Sequence, residues 1–237
     1  MPALSQFDAI LFDLDGVITP TAELHRQAWA RMFSAFFEQR GVAAYMAQDY
    51  FDYLDGRRRD EGVQAMLESR NIELPMGSEH DAADVDSVHG LGARKNEDFL
   101  QLVSEGVAAY PGSVRLLDTL AEMTDGPEVA IVSSSKNAKP VLEAAGLLDR
   151  FNVIVDGRVA AEKNLPGKPA PDTYLDAAHQ LGVPAEKAVV VEDATSGVAS
   201  GKAGGFGLVV GVDRGTGRQA LYNAGATVVV GDLSELL

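Results

Sequence analysis

Short apolar runs alternate with segments of helical period along the second half of the chain, and this alternation constrains the fold more than any other feature. The runs lie at residues 129–132, 153–155, 188–191, 208–212 and 227–230. Helical spacing between and before them predicts helices near residues 113–123, 138–145, 170–181 and 196–202. Strands separated in this way pair in parallel, because each crossover takes up a helix, and a sheet covered on both faces needs strands that are apolar throughout. One further run, residues 7–12, stands near the start and breaks off at Asp13-Leu-Asp-Gly16. Beyond it the period changes. Leu24, Ala28 and Met32 form one helical row and Trp29, Phe33 and Phe37 another, predicting a helix over about residues 22–40, closed by Gly41. The aromatic residues around Trp29 read as packing. Helix-like sequence continues to about Glu105, with a loop at residues 73–86 that contains Pro75 and Gly77. We therefore expect an α/β fold. Residues 1–19 and 108–237 form a doubly wound, Rossmann-like parallel sheet core, and residues 20–107 form a helical cap domain inserted after the first strand.

Four polar clusters follow the expected strands. Asp13 and Asp15 follow the first, and Ser133, Ser134, Ser135, Lys136 and Asn137 follow the run at 129–132. Lys168 lies in the loop Gly167-Lys-Pro-Ala-Pro171, and Glu192 and Asp193 follow the run at 188–191. Open parallel sheets bind ligands at the carboxyl ends of their strands, so these groups converge on one rim. Carboxylates are hard ligands that suit Mg²⁺ together with phosphate oxygens and water. A carboxylate can also act as a nucleophile and form an aspartyl-phosphate. Attack on an anionic phosphate needs charge neutralisation, which the metal, Lys168 and the Ser133 hydroxyl could supply. Blander readings stand beside these. Asp13 and Asp15 could be turn formers, Ser133 a helix cap, Lys168 a surface lysine and Glu192 an acceptor behind the metal.

Composition narrows the chemistry further. The chain has 237 residues, enough for a core domain and an insert, and its 46% hydrophobic content is that of an ordinary globular protein. It has no cysteine, which excludes thiol catalysis, disulfides and cysteine-based zinc sites. A net charge of −15 repels nucleic acid, so no nucleic-acid partner is expected, and an anionic substrate must meet local cations. No apolar run is long enough to span a bilayer, and the start lacks a basic region followed by a long apolar stretch. We expect a soluble, cytoplasmic monomer with no membrane partner.

The motifs together resemble the haloacid-dehalogenase-like (HAD) superfamily of phosphotransferases. Leu11-Phe-Asp-Leu-Asp-Gly-Val-Ile-Thr19 is similar to its first motif, Val132-Ser-Ser-Ser135 to its second, Lys168-Pro to its third and Val191-Glu-Asp193 to its fourth. Within that superfamily the pattern most resembles the β-phosphoglucomutases, on Thr21-Ala-Glu-Leu-His25, Trp29, Arg94-Lys-Asn96, Ser133-x-Ser-Lys-Asn137 and Gly167-Lys-Pro-Ala-Pro-Asp172. The resemblance implies that Asp13 takes the phosphoryl group and Asp15 is the acid/base partner. It implies that Asp13, the Asp15 main-chain carbonyl, Glu192 and Asp193 surround Mg²⁺, and that Ser133, Ser134 and Lys168 hold the transferring phosphate. Thr21, His25, Gly56, Arg59, Lys95 and Asn137 would serve the substrate and the cap. One position departs from the pattern, because Asp55 stands where the mutases carry a lysine, and the cap is longer around residues 75–88.

The expected activity is Mg²⁺-dependent conversion of a sugar phosphate, β-glucose 1-phosphate to glucose 6-phosphate. A sugar-phosphate phosphatase, with water as acceptor, is the alternative. A dehalogenase would not need the metal site that Asp15 and Asp193 complete, and a non-catalytic binding protein on this fold would be expected to lack one of these groups. Arg57-Arg-Arg59 opens an expected helix, where three cations oppose the macrodipole. We expect Arg59 to face an anionic ligand and Arg57 and Arg58 to face solvent.

Overall fold

The structure, a computed structural model, describes residues 4–55 and 57–237. It divides into two compact units, Ala22–Gly106 and the pair of segments Met1–Thr21 and Val107–Leu237. The helical unit is built from α1 (Thr21–Arg40), α2 (Ala47–Asp49), α3 (Arg59–Glu68) and α4 (Val88–Ser104), with a π-helical turn, Tyr50–Leu54, running on from α2. The aromatic row of α1 explains its core. Trp29, Phe33 and Phe37 pack with Met32, Phe36, Val63, Met66, Leu67 and Leu91 in one buried cluster. Fully burying each such side chain contributes about 1.5–3 kcal/mol. Arg70 fastens the turn before the π-helical segment, with Nη2 2.5 Å from Asp49 Oδ2. No helix among the described residues is long and apolar enough to cross a membrane.

The other unit carries α5 (Pro111–Glu122), α6 (Ala138–Ala144), α7 (Gly157–Glu162), α8 (Asp172–Leu181), α9 (Thr195–Ala203) and α10 (Arg218–Ala224). Among the described residues they surround six strands: β1 (Ala9–Phe12), β2 (Glu128–Val132), β3 (Val153–Val155), β4 (Ala188–Glu192), β5 (Leu208–Val212) and β6 (Val228–Val230). All neighbours are parallel, in the order β3-β2-β1-β4-β5-β6. This is the doubly wound α/β architecture that the alternation of runs predicts. Every residue of β1 is buried, as a central strand covered on both faces requires. Leu11, Val132 and Val190 share a core cluster with Tyr174, Ala177 and Ala178 of α8 and Val198 of α9.

Three helices differ from the expectation. The helical spacing read from the sequence does not include α7 or α10, which have six and seven residues. Local chemistry starts the first of them: Asp156 Oδ1 accepts the N–H groups of Arg158 and Val159 at 2.9 and 3.0 Å. Helix α5 begins two residues before the expected start, with Pro111 at its first position, where a missing N–H does no harm.

The strand order explains where the polar clusters meet. Phe12 is in register with Ile131 of β2 on one side and Val191 of β4 on the other. The chain winds outward in opposite directions from β1, so β1 and its neighbours form the topological switch point, where open sheets bind ligands.

Candidate active site

Strand β1 delivers Asp13 between the ends of its neighbours. Its N–H donates to the Val191 carbonyl at 2.9 Å, and the chain then turns sharply, with Gly16 N–H donating to Thr19 O at 2.7 Å and Thr19 N–H to Leu14 O at 3.0 Å. Gly16 has φ +89°, and a Cβ there would stand 2.0 Å from Asp193 Oδ2. Glycine therefore permits the left-handed turn and lets the Asp193 carboxylate lie against it.

Asp15 is held by hydroxyls. Thr21 Oγ1 donates to Oδ1 at 2.5 Å, and Thr19 Oγ1 lies 2.7 Å from Thr21 Oγ1. Ser133 Oγ reaches Asp15 Oδ2 at a longer 3.4 Å. Ser133 is buried and also accepts the Ser135 N–H at 3.1 Å within its own turn; it does not cap α6, whose N-cap position is Asn137. Ser134 is half-buried beside it, and Asn137 is buried at the start of α6, its N–H donating to Ser135 Oγ at 3.1 Å.

Lys168 is no surface lysine. Its side chain is 4% exposed, and Nζ lies 2.5 Å from Asp13 Oδ1 and 2.6 Å from Glu192 Oε1, with a third bond to the Val132 carbonyl at 3.1 Å. Burial pulls its pKa down, but Asp13 and Glu192 outweigh that and hold the ammonium charged. Burial pushes the Asp13 carboxyl well above the usual range; Lys168 opposes this, while Glu192 and Asp15 add to it. Glu192 is fixed on three sides. Tyr174 Oη donates to Oε1 at 3.2 Å, Ala194 N–H donates to Oε2 at 3.0 Å, and Lys168 completes the set. Asp13, Glu192 and Asp193 each bring a carboxylate oxygen within 4.8 Å of the others, so the group can hold a metal ion. The donors are all oxygen, as Mg²⁺ prefers.

The sequence motifs omit four residues that this geometry brings in. Tyr174 on α8 binds Glu192, and Gly197 on α9 leaves room for that carboxylate, since a Cβ would stand 1.7 Å from Oε1. Arg214 and Thr216 reach the Gly16 and Asp193 carbonyls from the loop after β5.

In the helical unit, Lys95 is buried with Nζ 2.5 Å from His25 Nδ1. The ammonium can only donate, so Nδ1 accepts. His25 stacks on Phe99 with centroids 4.0 Å apart, and Lys95 lies over the rings of Phe99 at 4.6 Å and Trp29 at 5.0 Å. Trp29, expected only to pack, therefore also flanks a cation. Arg59 is half-buried at the first turn of α3 and donates from Nη2 to Asn96 Oδ1 at 2.7 Å. Asp60 and Glu61 in the same turn offset the cations there. Arg57 is exposed, whereas Arg58 is half-buried with Nε 3.7 Å from Asp60 Oδ1. Asp55 ends the π-helical turn, its N–H donating to Tyr50 O at 2.9 Å. Gly56 lies outside the described residues.

Residues 7–205 match the family described as haloacid dehalogenase-like hydrolase. The chain is 47% identical to a beta-phosphoglucomutase from Mycobacterium bovis, over 97% of its own length and 91% of that protein's. It is 34% identical to a beta-phosphoglucomutase from Bacillus subtilis, over 96% and 91% of the two lengths. The crystal structure of a beta-phosphoglucomutase from Clostridium difficile matches with a TM-score of 0.80 at 27% identity, covering 98% of this chain and 93% of that one.

Proposed function

The chain belongs to the haloacid dehalogenase-like hydrolase family, and from that premise we propose that it is a Mg²⁺-dependent sugar phosphomutase converting β-glucose 1-phosphate to glucose 6-phosphate. The observation that carries the chemistry is the setting of Asp13: a buried carboxylate with Lys168 on Oδ1 and the carboxylates of Glu192 and Asp193 beside it. The sugar and the mutase outcome rest on the 47% identity to a protein of that name.

Asp13, the Asp15 main-chain carbonyl, Glu192 and Asp193 would surround the ion. When bound, Mg²⁺ neutralises charge on the phosphate oxygens. Lys168 holds Oδ1 of Asp13, so Oδ2 would be the attacking oxygen. An Asp13–phosphorus bond forms as the bond from phosphorus to the sugar oxygen breaks, and Asp15 gives that oxygen its proton. In the reverse sense Asp15 removes a proton from a sugar hydroxyl, whose oxygen takes the phosphoryl group and frees the Asp13 carboxylate. Applied at the two ends of a glucose bisphosphate, the sequence moves the phosphate from one hydroxyl to the other. Ser133 and the amides of its turn bind the phosphate oxygens, with Ser134 alongside. The helical unit is assigned the part of a cap: Arg59 would bind the phosphate that is not transferred, and the His25–Lys95 pair would serve closure and the tuning of Asp15.

The test is incubation with Mg²⁺, β-glucose 1-phosphate and a catalytic amount of glucose 1,6-bisphosphate. We expect glucose 6-phosphate without matching release of inorganic phosphate. Phosphate released in step with substrate loss, with no isomer formed, would make the protein a phosphatase.

A further inference from the structure

The loop after β5 reaches the acidic site from behind. Asp213 holds it in shape: Oδ1 accepts the N–H groups of Gly215 and Gly217, both at 3.0 Å. Between these anchors two side chains leave the loop and end on the backbone of the site. Arg214 Nε donates to the Gly16 carbonyl at 3.0 Å and Nη1 to the Gly231 carbonyl at 3.1 Å. Its guanidinium carbon lies 3.8 Å from the centre of the Tyr110 ring, and Nη2 is 3.8 Å from Asp232 Oδ2. Thr216 Oγ1 donates to the main-chain carbonyl of Asp193 at 3.1 Å.

The two innermost contacts have a common consequence. Gly16 closes the turn that carries Asp13 and Asp15, and Asp193 supplies a carboxylate from the end of a different strand. These segments touch where Gly16 has no side chain, since a Cβ there would stand 2.0 Å from Asp193 Oδ2. One short loop therefore grips both by their carbonyls. The donors that make these contacts end on backbone carbonyls. They can set the distance between the two acidic segments. Mg²⁺ demands near-ideal octahedral geometry and tolerates ligand displacement poorly.

We propose that Arg214 and Thr216 are positioning residues for a divalent cation, bracing the Asp13-Leu-Asp-Gly16 turn against Asp193. The inference rests on the reading that these carboxylates hold Mg²⁺. Arg214 suits the task because its planar fork presents Nε to Gly16 and Nη1 to Gly231 in a fixed geometry, where a lysine would offer only a flexible point charge.

The test is calorimetric titration of the full chain with Mg²⁺ alone, without substrate, for wild type, Thr216→Val, Arg214→Met and Arg214→Lys. Unfolding temperature is measured in parallel without metal. Partners that orient metal ligands typically change affinity by about 10–100-fold when removed. We expect Thr216→Val and Arg214→Met to weaken Mg²⁺ binding by about tenfold or more, with Arg214→Lys between them and wild type. Should Arg214→Met fail to fold, Thr216→Val and Arg214→Lys decide the matter. A lower unfolding temperature with wild-type Mg²⁺ affinity would overturn the proposal, leaving both side chains merely structural. A wild-type chain that binds no Mg²⁺ would overturn the metal reading itself, and the brace with it.

Discussion

A methyl group on Gly197 would stand 1.7 Å from Glu192 Oε1, in the space through which that carboxylate reaches Lys168 and the Tyr174 hydroxyl. Glu192 is buried and its neighbours are close, so it has nowhere to retreat without losing those bonds. Gly197→Ala should therefore destabilise the protein by about 1–3 kcal/mol through overpacking. It should also lower turnover by about a hundredfold, because Lys168 would no longer fix Asp13. Urea unfolding and initial rates check the two effects, and a variant matching wild type in both would show that Glu192 does not need this position. Asp13, Asp15, Lys168 and Glu192 could be picked out from the sequence because each follows an apolar run or sits in a short motif. Gly197 and Tyr174 could not. Their contacts arise where α9 and α8 pack against the end of β4, and although a glycine inside a helix hints at close packing, the sequence does not say against what.

Sheet and long helices were legible from apolar runs and helical rows, because burial on both faces or on one stripe imposes a period on the residues. The loops, and the short helices α7 and α10, were not read that way. The loop of Asp213, Arg214 and Thr216 reads as an ordinary polar turn, and its role depends on β5 lying next to β4 in the sheet. Its internal bonds give it a pH signature. The N–H groups of Gly217 and then Gly215 hold the Asp213 carboxyl below its ordinary pKa. The folded group thus stays ionised where the unfolded one protonates. Its contribution to stability is present above the unfolded value of about 4 and is lost as pH falls through the folded value. Asp213→Asn should lower the unfolding temperature at neutral pH, and the gap from wild type should close as the solution is taken below about pH 4. A gap that stayed constant through this range would mean the bonds do not depend on the charge.

At the scale of the whole molecule, the acidic site lies in the α/β unit and the candidate substrate cations Arg59 and Lys95 in the helical one. A mutase must hold a second phosphate, and a phosphatase need not, so Arg59→Ala separates the two. Losing a hydrogen bond to a charged group costs roughly 1.5–3 kcal/mol, which corresponds to about a ten- to hundredfold slowing of isomerisation. Hydrolysis of acetyl phosphate, which has no second phosphate, should fall much less. Equal loss in both reactions would assign Arg59 to structure through Asn96. The central claim is the covalent step on Asp13, and its most direct measurement is mass spectrometry of the protein quenched in acid during turnover with Mg²⁺. The account predicts one phosphoryl group on the peptide that contains Asp13, absent after chelation of the metal and absent in Asp13→Asn, which should retain the fold but less than about a hundredth of the wild-type rate. Isomerisation by Asp13→Asn above that level, or a phosphoryl group on any other peptide, would contradict it.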